Sequence, residues 1–175
     1  MRNIISCLII CVFCSCNKKE EVVVPNFTDF ILVNLNLKEN TSLKFNGSDT
    51  LYFQKRLPDS PLANYILIIN KQDRDSLISG INKLNFVKYE SIYAQSASDN
   101  SQVFILNKDG KSKSVCSIEG IGPIEMIRLG NWLNKWAAKN KHIKTKEYIH
   151  FWDLPNVVPP PFPPSQVKKI KFIKQ

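Results

Sequence analysis

The stretch Tyr65 to Leu84, YILIINKQDRDSLISGINKL, decides the fold class. Its first five residues are a continuous apolar run, the pattern of a strand covered on both faces. Asn70 then offers an N-cap, and Asp73 and Asp75 sit near the positive end of a helix dipole. Leu77, Ile78, Ile81 and Leu84 recur at helical spacing, which predicts a helix over about Lys71 to Leu84 with one buried stripe. Gly80 inside that helix costs ~1 kcal/mol relative to alanine unless close packing requires it. A strand feeding a helix with one apolar stripe needs a sheet to lie on.

Working outward, the preceding residues supply that sheet. Phe30 to Leu37 reads as a strand with Val33, Leu35 and Leu37 on one face and Asn34 and Asn36 on the other. Leu43 to Phe53 reads as two short strands around Asn46-Gly47, a pair suited to positive φ in a tight turn. Lys55 to Ala63 carries Pro58 and Pro61 and is expected to be a loop. Downstream, Glu90 to Tyr93 reads as a short strand and Gln95 to Gln102 as a polar loop. Val103 to Leu106 and Lys113 to Ile118 form a hairpin across Lys108 to Lys111, with Asp109-Gly110 as the turn signal. Pro123 suits the first turn of a second helix, whose stripe is Met126, Leu129, Leu133 and Trp136, ending near Lys139 to Lys141. Glu147 to Trp152 reads as a last strand. The expected architecture is α+β: an antiparallel sheet with two helices packed on it, in a ββα-ββα order, over residues 26–152. Residues 153–175 form a tail, with a polyproline II spacer at Pro159 to Pro164 and an edge strand at Val167 to Ile173.

Composition sets the boundary conditions. Hydrophobic residues make up 43% and charged residues 22%, ordinary for a packed domain. The net charge is +9, but residues 16–134 carry 14 Lys/Arg against 13 Asp/Glu, whereas residues 135–175 carry nine lysines against Glu147 and Asp153. The body is thus neutral and the C-terminal part basic. Trp132 and Trp152 with Lys168, Lys169 and Lys171 are the expected contact residues for a protein partner or an anionic envelope component.

The N-terminal residues decide location. Arg2 precedes an apolar run from Ile4 to Phe13, about ten residues, the length of a signal-peptide core; a bilayer-spanning helix needs ~20. Of Cys7, Cys11, Cys14 and Cys16, Cys16 is the one that closes this run and follows a small residue, Ser15. The segment Phe13-Cys14-Ser15-Cys16 resembles a bacterial lipoprotein signal, departing from the usual pattern at Phe13. That resemblance implies a signal peptide over residues 1–15, acylation at Cys16 and a lipidated tether over residues 16–25. The motif Lys19-Glu20-Glu21 is similar to the surface-export signal of Bacteroidota-type lipoproteins. The strand and helix order over residues 49–140 faintly resembles small uncharacterised lipoprotein domains of that group, which implies no activity. The expected location is the cell envelope, held on the outer membrane through lipid, with nucleic acid not expected as a partner.

Beyond Cys16 the chain keeps one cysteine, Cys116, so neither an internal disulfide nor a cysteine-based metal site is expected. No GxSxG, HExxH, phosphate-binding glycine loop or calcium loop occurs. His142 and His150 are eight residues apart across a helix end and a strand, which does not make them a ligand pair. Cys116 shares a strand face with Ile118, so burial is expected of it. The expected function is a non-enzymatic binding or scaffolding lipoprotein without cofactor. The alternatives are an immunity or inhibitor lipoprotein facing a toxin or hydrolase, and an enzyme with a dispersed site.

Overall fold

The structure, a computed structural model, describes residues 22–36, 39–57, 61–95 and 98–151. Cys16, Trp152, Lys168, Lys169 and Lys171 lie outside the described residues, as do the proline run and the expected strand at Val167 to Ile173. The described elements in chain order are β1 (Asp29–Leu35), β2 (Asn40–Phe45), β3 (Thr50–Arg56), β4 (Ala63–Ile68), α1 (Lys71–Asn82), β5 (Ile92–Tyr93), β6 (Ser101–Lys108), β7 (Lys111–Ile118), α2 (Ile124–Lys139) and β8 (Ile143–Thr145). A 3-10 turn at Phe86–Lys88 links α1 to β5. The fold is α+β, an eight-stranded sheet in the order β5-β7-β6-β1-β2-β3-β4-β8 with two helices.

The sheet is mixed, which corrects the purely antiparallel expectation. β5 pairs parallel with β7, while the other neighbours pair antiparallel. The reason is topological: the chain leaves β5, skips one position to lay down β6, and β7 then turns back into the gap. Both hairpin signals act as read. Gly47 sits at φ +86, with Asn46 Oδ1 accepting from the Ser48 amide, and Asp109-Gly110 turn at φ 50 and 70.

β1 was first in sequence and is central in space, between β2 and β6. Phe30, Ile31, Leu32 and Val33 are all buried, so both of its faces are covered. Its inner face (Phe30, Leu32) meets the helices in the larger core, together with Leu43, Phe45, Leu51, Leu67, Phe104 and Val115. Its outer face (Ile31, Val33) joins Val103, Ile105 and Cys116 in a second apolar cluster. The apolar run of β4 is not covered on both faces as expected. Leu67 is fully buried, whereas Ile68, one residue on and pointing outward, is 61% exposed.

α1 begins where Asn70 accepts a hydrogen bond from the Asp73 amide at 2.9 Å. It buries Leu77, Ile78 and Ile81. Gly80 has a packing reason, since a Cβ there would lie 3.1 Å from Leu129 Cδ1 of α2. Trp136 Nε1 donates to Asp73 Oδ2 at 2.9 Å, so the two helices run antiparallel, tied at both points. Within α2 the buried stripe is Met126, Ile127, Gly130, Leu133 and Ala137. Tyr89 OH donates to Glu125 Oε1 at 2.6 Å; this holds the Glu125 carboxyl below its usual range. Burial, with the Glu125 carboxylate beside it, pushes Tyr89 up to about 12.

The expected strand at Glu147 to Trp152 is not formed over its described part. The late strand is β8, Ile143–Thr145, and the chain then leaves the sheet edge. It crosses the outer face on side-chain bonds, with Asn64 Nδ2 donating to the Glu147 carbonyl and Lys44 Nζ to the His150 carbonyl, each at 3.1 Å. Residues 22–25, assigned above to the tether, lie along the body, where Asn82 Nδ2 donates to the Val24 carbonyl at 2.9 Å.

Candidate functional site

Two neighbouring cross-strand rows on the inner face build the site. One row is polar: Gln102, Asn34, Thr41 and Lys55 stand opposite one another on β6, β1, β2 and β3. The next row is apolar and aromatic: Phe104, Leu32, Leu43, Phe53 and Tyr65 on β6, β1, β2, β3 and β4. The last turns of α2 lie beside the polar row and bring Asn134, Ala137 and Ala138 to it. A cleft of about 910 Å³ remains between these rows and the end of α2. That volume falls in the range of small-molecule sites, roughly 300–1,000 Å³.

The floor and one side are Leu43, Phe53, Tyr65 and His142. His142 follows α2, and its exposed imidazole stacks on Phe53 with ring centroids 4.8 Å apart and planes 8° from parallel. Tyr65 stands tilted against both rings. Asn36, Asp99, Asn100 and the Glu39–Lys55 ion pair at 2.8 Å also line the cleft. Both members of that pair are about a third exposed and cancel in charge, and Asp99 is the other carboxylate that lines the cleft.

Asn34 organises the polar side. Its Nδ2 donates to Thr41 Oγ1 at 3.0 Å and to Asn134 Oδ1 at 2.9 Å. Its Oδ1 accepts from Asn134 Nδ2 at 2.9 Å and from Gln102 Nε2 at 3.0 Å. All four hydrogen-bonding positions of this amide are used, so Asn34 is a strut between sheet and helix. Asn134 spends one amide hydrogen and one lone pair on that exchange, and its amide lies in the lining of the cleft. Preformed amides over aromatic rings suit a molecule with hydroxyl groups on one side and C–H groups on the other.

Other residues singled out in the sequence fall elsewhere. Trp132 is half-buried against the larger core. Lys135, Lys139, Lys141, Lys144 and Lys146 are exposed around the end of α2 and β8. Cys116 is buried on the outer face, and desolvation pushes its thiol up, which disfavours the reactive thiolate. The His142 ring stacks on Phe53 of the inner face, whereas the His150 carbonyl accepts from Lys44 on the outer face. Among the described residues no group of three or more His, Cys, Asp or Glu is placed to hold a metal, and no helix is long and apolar enough to cross a membrane. The cleft itself was missed in the sequence: Asn34 and Asn36 read there as the far face of a strand. The available signal was two asparagines interrupting an otherwise apolar central strand.

Compared with models of known protein families, with curated proteins and with solved structures, the chain shows no match.

Proposed function

We propose that this chain is an envelope lipoprotein, acylated at Cys16, whose domain binds an uncharged polyhydroxylated ligand of the saccharide class in the cleft. The observation that carries the ligand reading is the pairing of two rows, Asn34–Thr41–Lys55 with Asn134 above Leu43–Phe53–Tyr65. Sugars present an apolar C–H face to aromatic rings and hydroxyls to planar amides. The internal ion pairing of Glu39 and Lys55 disfavours a strongly charged ligand. The reading is non-enzymatic: the cleft contains His142 and two carboxylates, but His142 is stacked on Phe53 and Glu39 is paired to Lys55. The order β3–β4–α1 and β6–β7–α2 supports reading the domain as a doubled ββα unit with the β1–β2 hairpin between the copies.

The ligand is tested on a glycan array of bacterial and host saccharides, followed by calorimetry on the best binder. The expected result is one saccharide class bound, weakened about tenfold or more by His142→Ala, which removes an exposed ring and little stability. Val87→Ser, at an exposed position away from the cleft, is expected to bind as the parent does. An array without a hit, or equal affinity in the His142→Ala protein, rejects the saccharide reading.

The anchor rests on Ser15-Cys16 closing the apolar run, and stable attachment needs two or more acyl chains at ~0.8 kcal/mol per buried methylene. Labelled palmitate incorporation and membrane fractionation are expected to disappear in Cys16→Ala. Label retained in that variant would place the acylation on another residue and overturn the assignment to Cys16.

A further inference from the structure

The cleft does not end at the Asn34 strut. A second cavity of about 300 Å³ adjoins it, lined in part by Ser101, Gln102, Glu119 and Asn131. Asn34, Asn36 and Asn100 line both cavities, which therefore share a rim. The paired amides of Asn34 and Asn134 join sheet to helix between them, with Thr41 to the β2 side and Gln102 to the β6 side.

Both walls continue past this partition without a change of chemistry. On the sheet, the polar row runs from Lys55 and Thr41 through Asn34 to Gln102, each step one strand spacing of about 4.8 Å. On α2, Asn134 lines the first cavity, and Asn131, about 4.5 Å earlier along the axis, lines the second. The shared rim is fixed by the backbone around it. Asn36 Oδ1 accepts from the Glu39 amide at 2.7 Å, and the Asn36 amide donates to Asn40 Oδ1 at 3.0 Å. The Asn100 amide donates to Ser98 Oγ at 3.2 Å, while its carbonyl accepts from the Glu119 amide at 3.1 Å.

The two cavities differ in one respect. The first holds Phe53, Tyr65 and His142; the second has no ring and offers amides, a hydroxyl and the Glu119 carboxylate. Its volume is at the lower limit of a small-molecule site, and without an apolar platform it suits an extension of the first cavity better than a site of its own.

We propose that the two cavities are adjoining subsites for one linear oligosaccharide. One unit stacks on the Phe53–His142 pair, the chain crosses the rim at Asn36 and Asn100, and a later unit is held by hydrogen bonds to Ser101, Glu119 and Asn131. This rests on the saccharide reading of the cleft and adds a minimum length to it. The Glu119 carboxylate accepts from hydroxyl or acetamido groups and repels a uronic acid, so the later unit is uncharged as well.

The test is calorimetry on the full-length chain with malto-, cello-, chito- and manno-oligosaccharides of one to six units, and with the same lengths of the array's best binder where it is none of these. Affinity is expected to rise with length until both subsites are filled. Asn131→Trp places a ring in the second cavity from an exposed helix position. In that variant the rise is expected to stop at least one unit sooner, leaving the longest oligomer bound about tenfold more weakly than by the parent, with the shortest binder unaffected. In side-chain amide NMR of the parent, Asn134 Nδ2 is expected to shift with every binder and Asn131 Nδ2 only with those long enough to cross the rim. The same length dependence in the Asn131→Trp protein as in the parent, or an unshifted Asn131 with the longest binder, overturns the second subsite and leaves the saccharide cleft standing. Binding of no oligomer at any length rejects the saccharide reading and the subsite with it.

Discussion

Replacing Phe104 with alanine is expected to destabilise the protein by about 3–5 kcal/mol, measured by urea denaturation. Phe104 is fully buried where β6 passes under α2, with its ring 6.4 Å from that of Phe30. It also fills the space that Gly130 leaves on the helix, since a Cβ there would lie 2.8 Å from the Phe104 ring. Gly130→Ala alone is therefore expected to cost about 1–3 kcal/mol by overpacking, although alanine is the better helix former by up to ~1 kcal/mol. In the Phe104→Ala background the same Gly130→Ala change meets a cavity and is expected to cost nothing or to stabilise. The two sites then show a coupling of about 1–3 kcal/mol in a double-mutant cycle. Strictly additive costs would show that helix and ring do not share this space.

Asn34→Ala is the second large effect, expected to cost about 2–3 kcal/mol. The substitution removes four hydrogen bonds at once and leaves Thr41, Gln102 and Asn134 with groups turned toward an empty position. Partial exposure of these groups lets water repair some of the loss, which keeps the figure below that for a sealed core. Asn134→Ala removes only the reciprocal pair and is expected to cost about 1 kcal/mol, because the Asn34 amide retains Thr41 and Gln102. Thermal denaturation of the two variants separates these outcomes. Equal losses would mean that the helix contact, and not the strut, carries the stability. Since Asn34 sets the position of Asn134, Asn34→Ala is also expected to weaken the saccharide binding proposed for the cleft.

Local signals located most elements of this fold. Asn70 marked the start of α1 because its side chain does cap the helix, and the two glycine turns followed from the φ values they require. Residue spacing could not say which strands are neighbours. β1 pairs with β6, some seventy positions away, and nothing in Phe30 to Leu35 names that partner. The parallel β5–β7 edge has the same origin, a choice made by chain routing after two residues of strand. Glu147 to Phe151 alternates like a strand and is a surface crossing, because its backbone bonds go to Asn64 and Lys44 side chains. The cleft was legible only in part. Alternation separates Asn34 from Val33, yet which of two buried faces carries the helices depends on the handedness of the whole assembly.

The central position of the first strand has a consequence for how the molecule is made. β1 has the most deeply buried run in the sheet, and one of its two neighbours, β6, is synthesised only after α1. Until residues 101–108 arrive, the unit β1–β4 presents β1 as a free, hydrophobic edge, the feature that most readily pairs with another chain. Folding from the N-terminus is therefore exposed to aggregation for as long as the second half is missing, and the long loop closure makes the completing step slow. A chain exported unfolded and released whole meets β6 and β1 together, so for this topology late folding is the safer order of events.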